Sequence, residues 1–228
     1  MFNIRTRRAT VALVASFALL GLAACGGGSE EPTPQKTSSS EPAPTEPAAA
    51  SASQPSWAKP ATEVGDKIST FKAGDITVDA YQVGITKATK SGQFVDPETN
   101  KPIIAEGDDI VFVNYVITNN GAPIDLGFSL VNITARYADW KFMQGMDSVV
   151  DRALFEEQKV NSDVLAPGAF KDPGVYTLGK GETYSVGANF RYQKNSPLNF
   201  AVTATPVDAK GDLLHDKRLE GKGAGTIK

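Results

Sequence analysis

The sequence has one cysteine, Cys25, and one histidine, His215, in 228 residues. A single thiol cannot close an internal disulfide, so the fold must be held by its apolar core. Zinc and copper sites need clusters of imidazole and thiolate ligands. One cysteine, one histidine and three methionines supply no such cluster. Any histidine-based catalytic dyad or triad would have to use His215. Long apolar runs are scarce as well. The longest, residues 11–24, is 14 residues interrupted only by Ser16 and Gly21. As a helix it would reach roughly 21 Å at about 1.5 Å per residue. A bilayer core needs about 30 Å. Arg5, Arg7 and Arg8 precede the run. A basic segment followed by a short apolar one reads as a secretory signal rather than a membrane span.

The run closes on Leu22-Ala23-Ala24-Cys25. Small residues directly before a cysteine, after such a run, resemble the lipobox of bacterial lipoproteins. The resemblance implies that residues 1–24 are a signal peptide and that the Cys25 thiol takes a diacylglyceryl group after cleavage. It implies a palmitate-type lipid anchor on the cell membrane, facing the extracellular side. One acyl chain holds a protein only marginally, and two or more anchor it stably. The plainer alternative is an ordinary secretory signal with an incidental cysteine. Loss of residues 1–24 removes three arginines and no acids, so Lys+Arg falls from 23 to 20 against 26 acids and the formal charge moves from −3 to −6. Acidity of that degree argues against nucleic acid as a partner, because phosphate backbones demand a basic footprint. The expected membrane partner is reached through the lipid on Cys25, not through charge.

Residues 25–61 read as a disordered linker. Pro32, Pro34, Pro42, Pro44, Pro47, Pro55 and Pro60 are half of the 14 prolines, with serine, threonine, alanine and glutamate between them. Such a segment buries too little apolar surface to offset its ordering entropy. Trp57 is expected there as an incidental residue or one resting on the rim of the domain. Residues 62–228 are long enough for one domain with a proper core.

That domain is dominated by period-2 patterns. Tyr184, Val186, Ala188, Phe190 and Tyr192 alternate with smaller or polar residues, and Leu198, Phe200, Val202 and Ala204 do the same. Residues 110–117 are apolar at nearly every position, as in a central strand covered on both faces. Asn119-Asn120-Gly121 supplies turn chemistry after them. Two strands change phase midway, near Ala80-Tyr81 and near Leu130-Val131, and a bulge or a switch between sheets is expected at each. Asp208-Ala209-Lys210-Gly211 reads as a turn and residues 213–219 as a last, edge strand. Ser148 with Asp151 matches an acidic capping box, and Val149, Val150, Ala153 and Leu154 follow helical spacing, which predicts a short helix over residues 148–158. The fold class expected is all-β, an antiparallel immunoglobulin-like β-sandwich with one short helical insertion.

The lipobox, the proline-rich linker, the strand running into Asn119-Asn120-Gly121 and the entry Leu178-Gly179-Lys180-Gly181-Glu182-Thr183 together resemble the telokin-like, immunoglobulin-like domains of Gram-positive, actinobacterial-type lipoproteins. These are domains of unknown function and carry no agreed catalytic residues, so the resemblance implies a fold and no chemistry.

Motifs for catalysis are weak. Gly127-Phe128-Ser129-Leu130-Val131 lacks the second glycine of a nucleophile elbow and falls inside a strand. Asp96-Pro97-Glu98-Thr99-Asn100 has alternating acids but no central glycine, so a solvated loop is the better reading than calcium. Asp108-Asp109 reads as a strand start and Glu156-Glu157 as a wet helix face. Gly179-Lys180-Gly181 reads as a turn and residues 221–225 as a frayed tail, since neither continues into a phosphate-loop pattern. No catalytic residue, no metal site and no cofactor is expected, and the protein is read as a non-enzyme. The aromatic segment after residue 136 is the remaining candidate. Tyr137, Trp140 and Phe142, with Met143 and Met146, are the residue types enriched at binding hot spots when exposed, and packing in the core or as a cap against the following helix is the plainer alternative. The function expected is a lipid-anchored sandwich binding an envelope, wall or host partner. The rivals are an envelope hydrolase acting on wall material and an accessory subunit of a transporter.

Overall fold

The computed structural model describes residues 53–228. Cys25, the signal peptide and most of the linker fall outside the described residues. In chain order the elements are β1 (Asp66–Ala73), β2 (Ile76–Lys87), β3 (Val95–Asp96), β4 (Lys101–Pro102), β5 (Asp109–Asn119), β6 (Ile124–Tyr137), α1 (Arg152–Glu157), β7 (Tyr176–Leu178), β8 (Thr183–Arg191), β9 (Pro197–Pro206) and β10 (Leu219–Thr226). A single 3-10 turn at His215–Lys217 precedes the last strand. Two antiparallel four-stranded sheets pack together, ordered β1-β2-β5-β8 and β10-β9-β6-β7, and β3 and β4 form a separate small hairpin.

Alternation along β5 explains how one strand serves two cores. Val111, Val113, Tyr115 and Ile117 point between the sheets and meet Leu126, Val131, Leu198, Phe200 and Val202 of the second sheet. Ile110 and Phe112 point to the other face, where Ile104, Val149, Leu154 and Val160 cover them. Phe71 stacks on Phe200 across the sandwich with ring centroids 5.0 Å apart. The same two-sided cover explains the phase change in β2. Ile76, Val78 and Ala80 belong to the central core, whereas Val83 packs in the outer cluster. The extra residues sit at Ile68 of β1, opposite Ala80-Tyr81, and at Val83 against β5. In β6 the register shifts between Leu126 and Val131, and Leu130 takes a left-handed backbone with φ 48°. A non-glycine residue rarely adopts that region. The bulge is held from across the core, where the Val131 N–H donates to the Tyr184 hydroxyl at 3.2 Å.

Three expectations are corrected. The helix over residues 148–158 is shorter, Arg152–Glu157, and its cap is Asp151 rather than Ser148. Residues 148–150 are pinned outside any helix: Asp147 accepts from Ser148 N, and Asn189 accepts from Val149 N and donates to Val149 O. Those bonds satisfy the backbone before a helical turn can. The last strand is Leu219–Thr226, not residues 213–219, so the glycine-rich stretch 221–225 is a full partner of β9. Its glycines are steric. A Cβ at Gly221 would stand 1.7 Å from the Lys72 carbonyl oxygen, and one at Gly223 would stand 2.6 Å from Phe71 Cβ. Trp57 lies in the core rather than on a rim, 5% exposed. Its indole N–H donates to Thr177 O at 2.7 Å and its ring packs on Tyr176 and Tyr184.

Candidate functional site

A cavity of about 590 Å³ opens beside the small hairpin. It falls within the size range of ligand pockets, roughly 300–1,000 Å³. Three separate stretches wall it: Asp96, Thr99 and Lys101–Ile103 of the hairpin, Tyr137 at the end of β6 with residues 140–142 beyond it, and Arg191 at the end of β8 with residues 192–193 beyond it. The hairpin is tight for local reasons. Asp96 accepts from Glu98 N at 2.8 Å through its side chain and from Asn100 N at 2.8 Å through its carbonyl, and Asn100 is left-handed with φ 54°. Asparagine tolerates that conformation best among non-glycine residues.

The aromatic loop is held by its own polar groups. Trp140 donates from its indole to Gln144 O at 3.0 Å and meets Phe142 edge-on with centroids 5.0 Å apart. The Arg136 guanidinium donates to the carbonyls of Phe142, Met143 and Gln144 at 3.2–3.4 Å. Lys141 bridges the loop to the hairpin, 3.3 Å from both Asp96 and Glu98, with its ammonium 4.9 Å from the Phe142 ring centre. The Glu98 and Asp96 carboxylates hold the Lys141 ammonium above its ordinary range. The Glu98 N–H, and then Lys141, hold the Asp96 carboxyl below its own.

The sequence-expected residues therefore share one cavity, but in unequal roles. Trp140 and Phe142 are half-buried wall residues. Tyr137 follows the core-packing alternative: it is 2% exposed, because it falls on the inward set with Val131. Its ring meets Phe190 edge-on, and its hydroxyl donates to Arg191 O at 2.9 Å. Burial pushes the Tyr137 phenol above its ordinary range. Lys101, Arg136 and Arg191 were not foreseen. Nothing periodic marks them; Lys101 and Arg191 reach the cavity only through the fold, while Arg136 serves the loop behind it.

A larger cavity, about 790 Å³, lies on the second sheet and is lined by Ser129, Asp172 and His215 among others. Phe128 borders it and stacks on Phe170, both exposed at 58% and 70%. Catalysis by these three polar residues would need a nucleophile and base within hydrogen-bond reach. No hydrogen bond joins their side chains in this structure, so no dyad is assembled. Among the described residues, no three His, Cys, Asp or Glu side chains converge as a metal would require.

Comparison with protein-family models, curated proteins and solved structures finds no match for this chain. What the site can do is therefore argued from its geometry.

Proposed function

We propose that the chain is an extracytoplasmic lipoprotein, anchored through Cys25, whose immunoglobulin-like sandwich binds an envelope, wall or host partner. The observation that carries the reading is the cavity beside Trp140. It is concave, of ligand size, walled by two half-buried aromatics and stiffened by the Lys141 ion pairs with Asp96 and Glu98. Binding sites combine this kind of apolar wall with a few placed polar groups. The two-sheet antiparallel architecture supports the immunoglobulin-like part of the reading. The lipobox residues Leu22-Ala23-Ala24-Cys25 support the anchored part.

The test is capture of the partner from cells by crosslinking, read by mass spectrometry, with wild type beside Trp140→Ala. Loss of an aromatic anchor from a binding hot spot costs about 2 kcal/mol or more, roughly 30-fold in affinity. A captured partner that depends on Trp140 is expected. Capture that Trp140→Ala leaves unchanged, with the fold intact by circular dichroism, removes the cleft as the site.

A further inference from the structure

Resting on the reading of the Trp140 cavity as the binding site, we infer that its ligand is an acidic saccharide, a sugar ring carrying a carboxylate or phosphate. Three cations line the cavity, Lys101, Lys141 and Arg191, against one acid, Asp96. The chain as a whole has the opposite sign, with a formal charge of −3. Lys141 is already neutralised by Asp96 and Glu98. Lys101 and Arg191 form no ion pair among the described residues. Two cations in a concave site are therefore left for an anion brought from outside.

Lys101 comes from the hairpin and Arg191 from the end of β8, so they stand on different walls. An ammonium and a planar guanidinium both donate strong charge-assisted bonds to carboxylate and phosphate oxygens. The remaining wall suits a ring with apolar and hydroxylated faces. Trp140, Phe142, Pro102 and Ile103 supply the apolar side. The Thr99 hydroxyl, on the hairpin side, makes no hydrogen bond among the described residues and is open to a hydroxyl partner. A simple anion would leave the aromatic wall uncovered, and a neutral sugar would leave both cations unpaired.

The full chain offers a built-in readout, because it has two tryptophans. In 15N-labelled protein the indole signal of Trp140 reports on the cavity, and that of Trp57, buried in the core, serves as fold control. Trp140→Phe assigns the two. The probes are a tetrasaccharide alternating glucuronate with N-acetylglucosamine, the neutral tetramer of N-acetylglucosamine, and inorganic phosphate. The acidic tetrasaccharide is expected to move the Trp140 signal and not the Trp57 signal, at concentrations at least about tenfold below those the other two need. Lys101→Gln with Arg191→Gln is expected to weaken it at least about tenfold and to remove its salt dependence, with Trp57 unmoved. Equal binding of neutral and acidic tetramers, unchanged by the double substitution, overturns the acidic ligand while leaving the cleft a binding site. Phosphate acting at the same concentration as the acidic tetramer overturns the saccharide. A Trp140 signal that no probe moves overturns the inference outright. The cleft itself is judged separately, by the dependence of partner capture on Trp140.

Discussion

Asp96 does two jobs with one carboxylate: it caps its own turn through Glu98 N and receives the Lys141 ammonium. Its carboxyl is held below the ordinary range, so the ionised form is the one the fold favours. Such a group contributes stability above the ordinary aspartate value of about 3.9 and loses it as pH falls through the lower, folded value. Lys141 is the mirror case. Its contribution is present below the ordinary lysine value of about 10.4 and is lost as pH rises through the raised, folded value. The clamp is thus complete between roughly pH 4 and pH 10. A carbon-detected NMR titration is expected to give Asp96 a midpoint below that of an unstructured aspartate. Lys141→Gln is expected to raise that midpoint only part of the way, because the Glu98 N–H stays in place. A midpoint at or above the unstructured value defeats the clamp. At this scale the aromatic loop was readable: Trp140 and Phe142 stand at the wall where exposed aromatics were expected. Tyr137 takes the core alternative, in line with its alternation with Ile133 and Val131. Trp57 was hidden by composition, since one aromatic among prolines produces no periodic signal.

Strands whose side chains carry the fold were legible; a strand whose lack of side chains carries it was not. β9 follows its hydrophobic alternation closely, β8 turns its alternate set Tyr184, Val186, Ala188 and Phe190 to the core, and β5 is buried on both faces as its continuous apolar run implies. The bulge in β6 falls where the phase slips, because a period of two leaves no other way to keep Leu126 and Val131 both inside. β10 has almost no hydrophobic pattern, and glycine weakens an isolated strand. It is fixed instead by closeness to β1, which only a bare backbone allows. Gly221→Ala is expected to lower stability by about 1–3 kcal/mol, the range for an overpacked core, because its Cβ meets a backbone carbonyl that cannot swing aside. Urea unfolding followed by tryptophan fluorescence measures it. A Gly221→Ala midpoint equal to wild type would show that β1 and β10 are not in this contact. The capping pattern at Ser148 overextends the helix because Asn189 outcompetes it. That residue lies 40 positions away and takes both backbone groups of Val149.

For the molecule as a whole, attachment and recognition are separate problems. Cys25 precedes the described residues. The proposed anchor predicts that cells fed a labelled fatty acid transfer label to the wild-type protein and place it in the membrane fraction. Cys25→Ser is expected to carry no label and to be recovered in the soluble fraction. Equal labelling of both would refute the anchor while leaving the cleft and the fold untouched. The cleft was legible only in part at this scale. Its walls come from three stretches far apart in sequence, and charge selection by Lys101 and Arg191 exists only after the sheets have brought them together.

The contact between β1 and β10 also sets an order of events. Ser69 donates to Ala224 O at 2.7 Å across 155 positions of chain. A sheet edge that joins such distant partners cannot close early, and pairings of this range fold slowly. Until residues 219–226 have emerged, a nascent copy offers β9 as an open template and lacks the lid over Phe71. The same dependence makes any copy that stops before residue 219 a ready substrate for proteases.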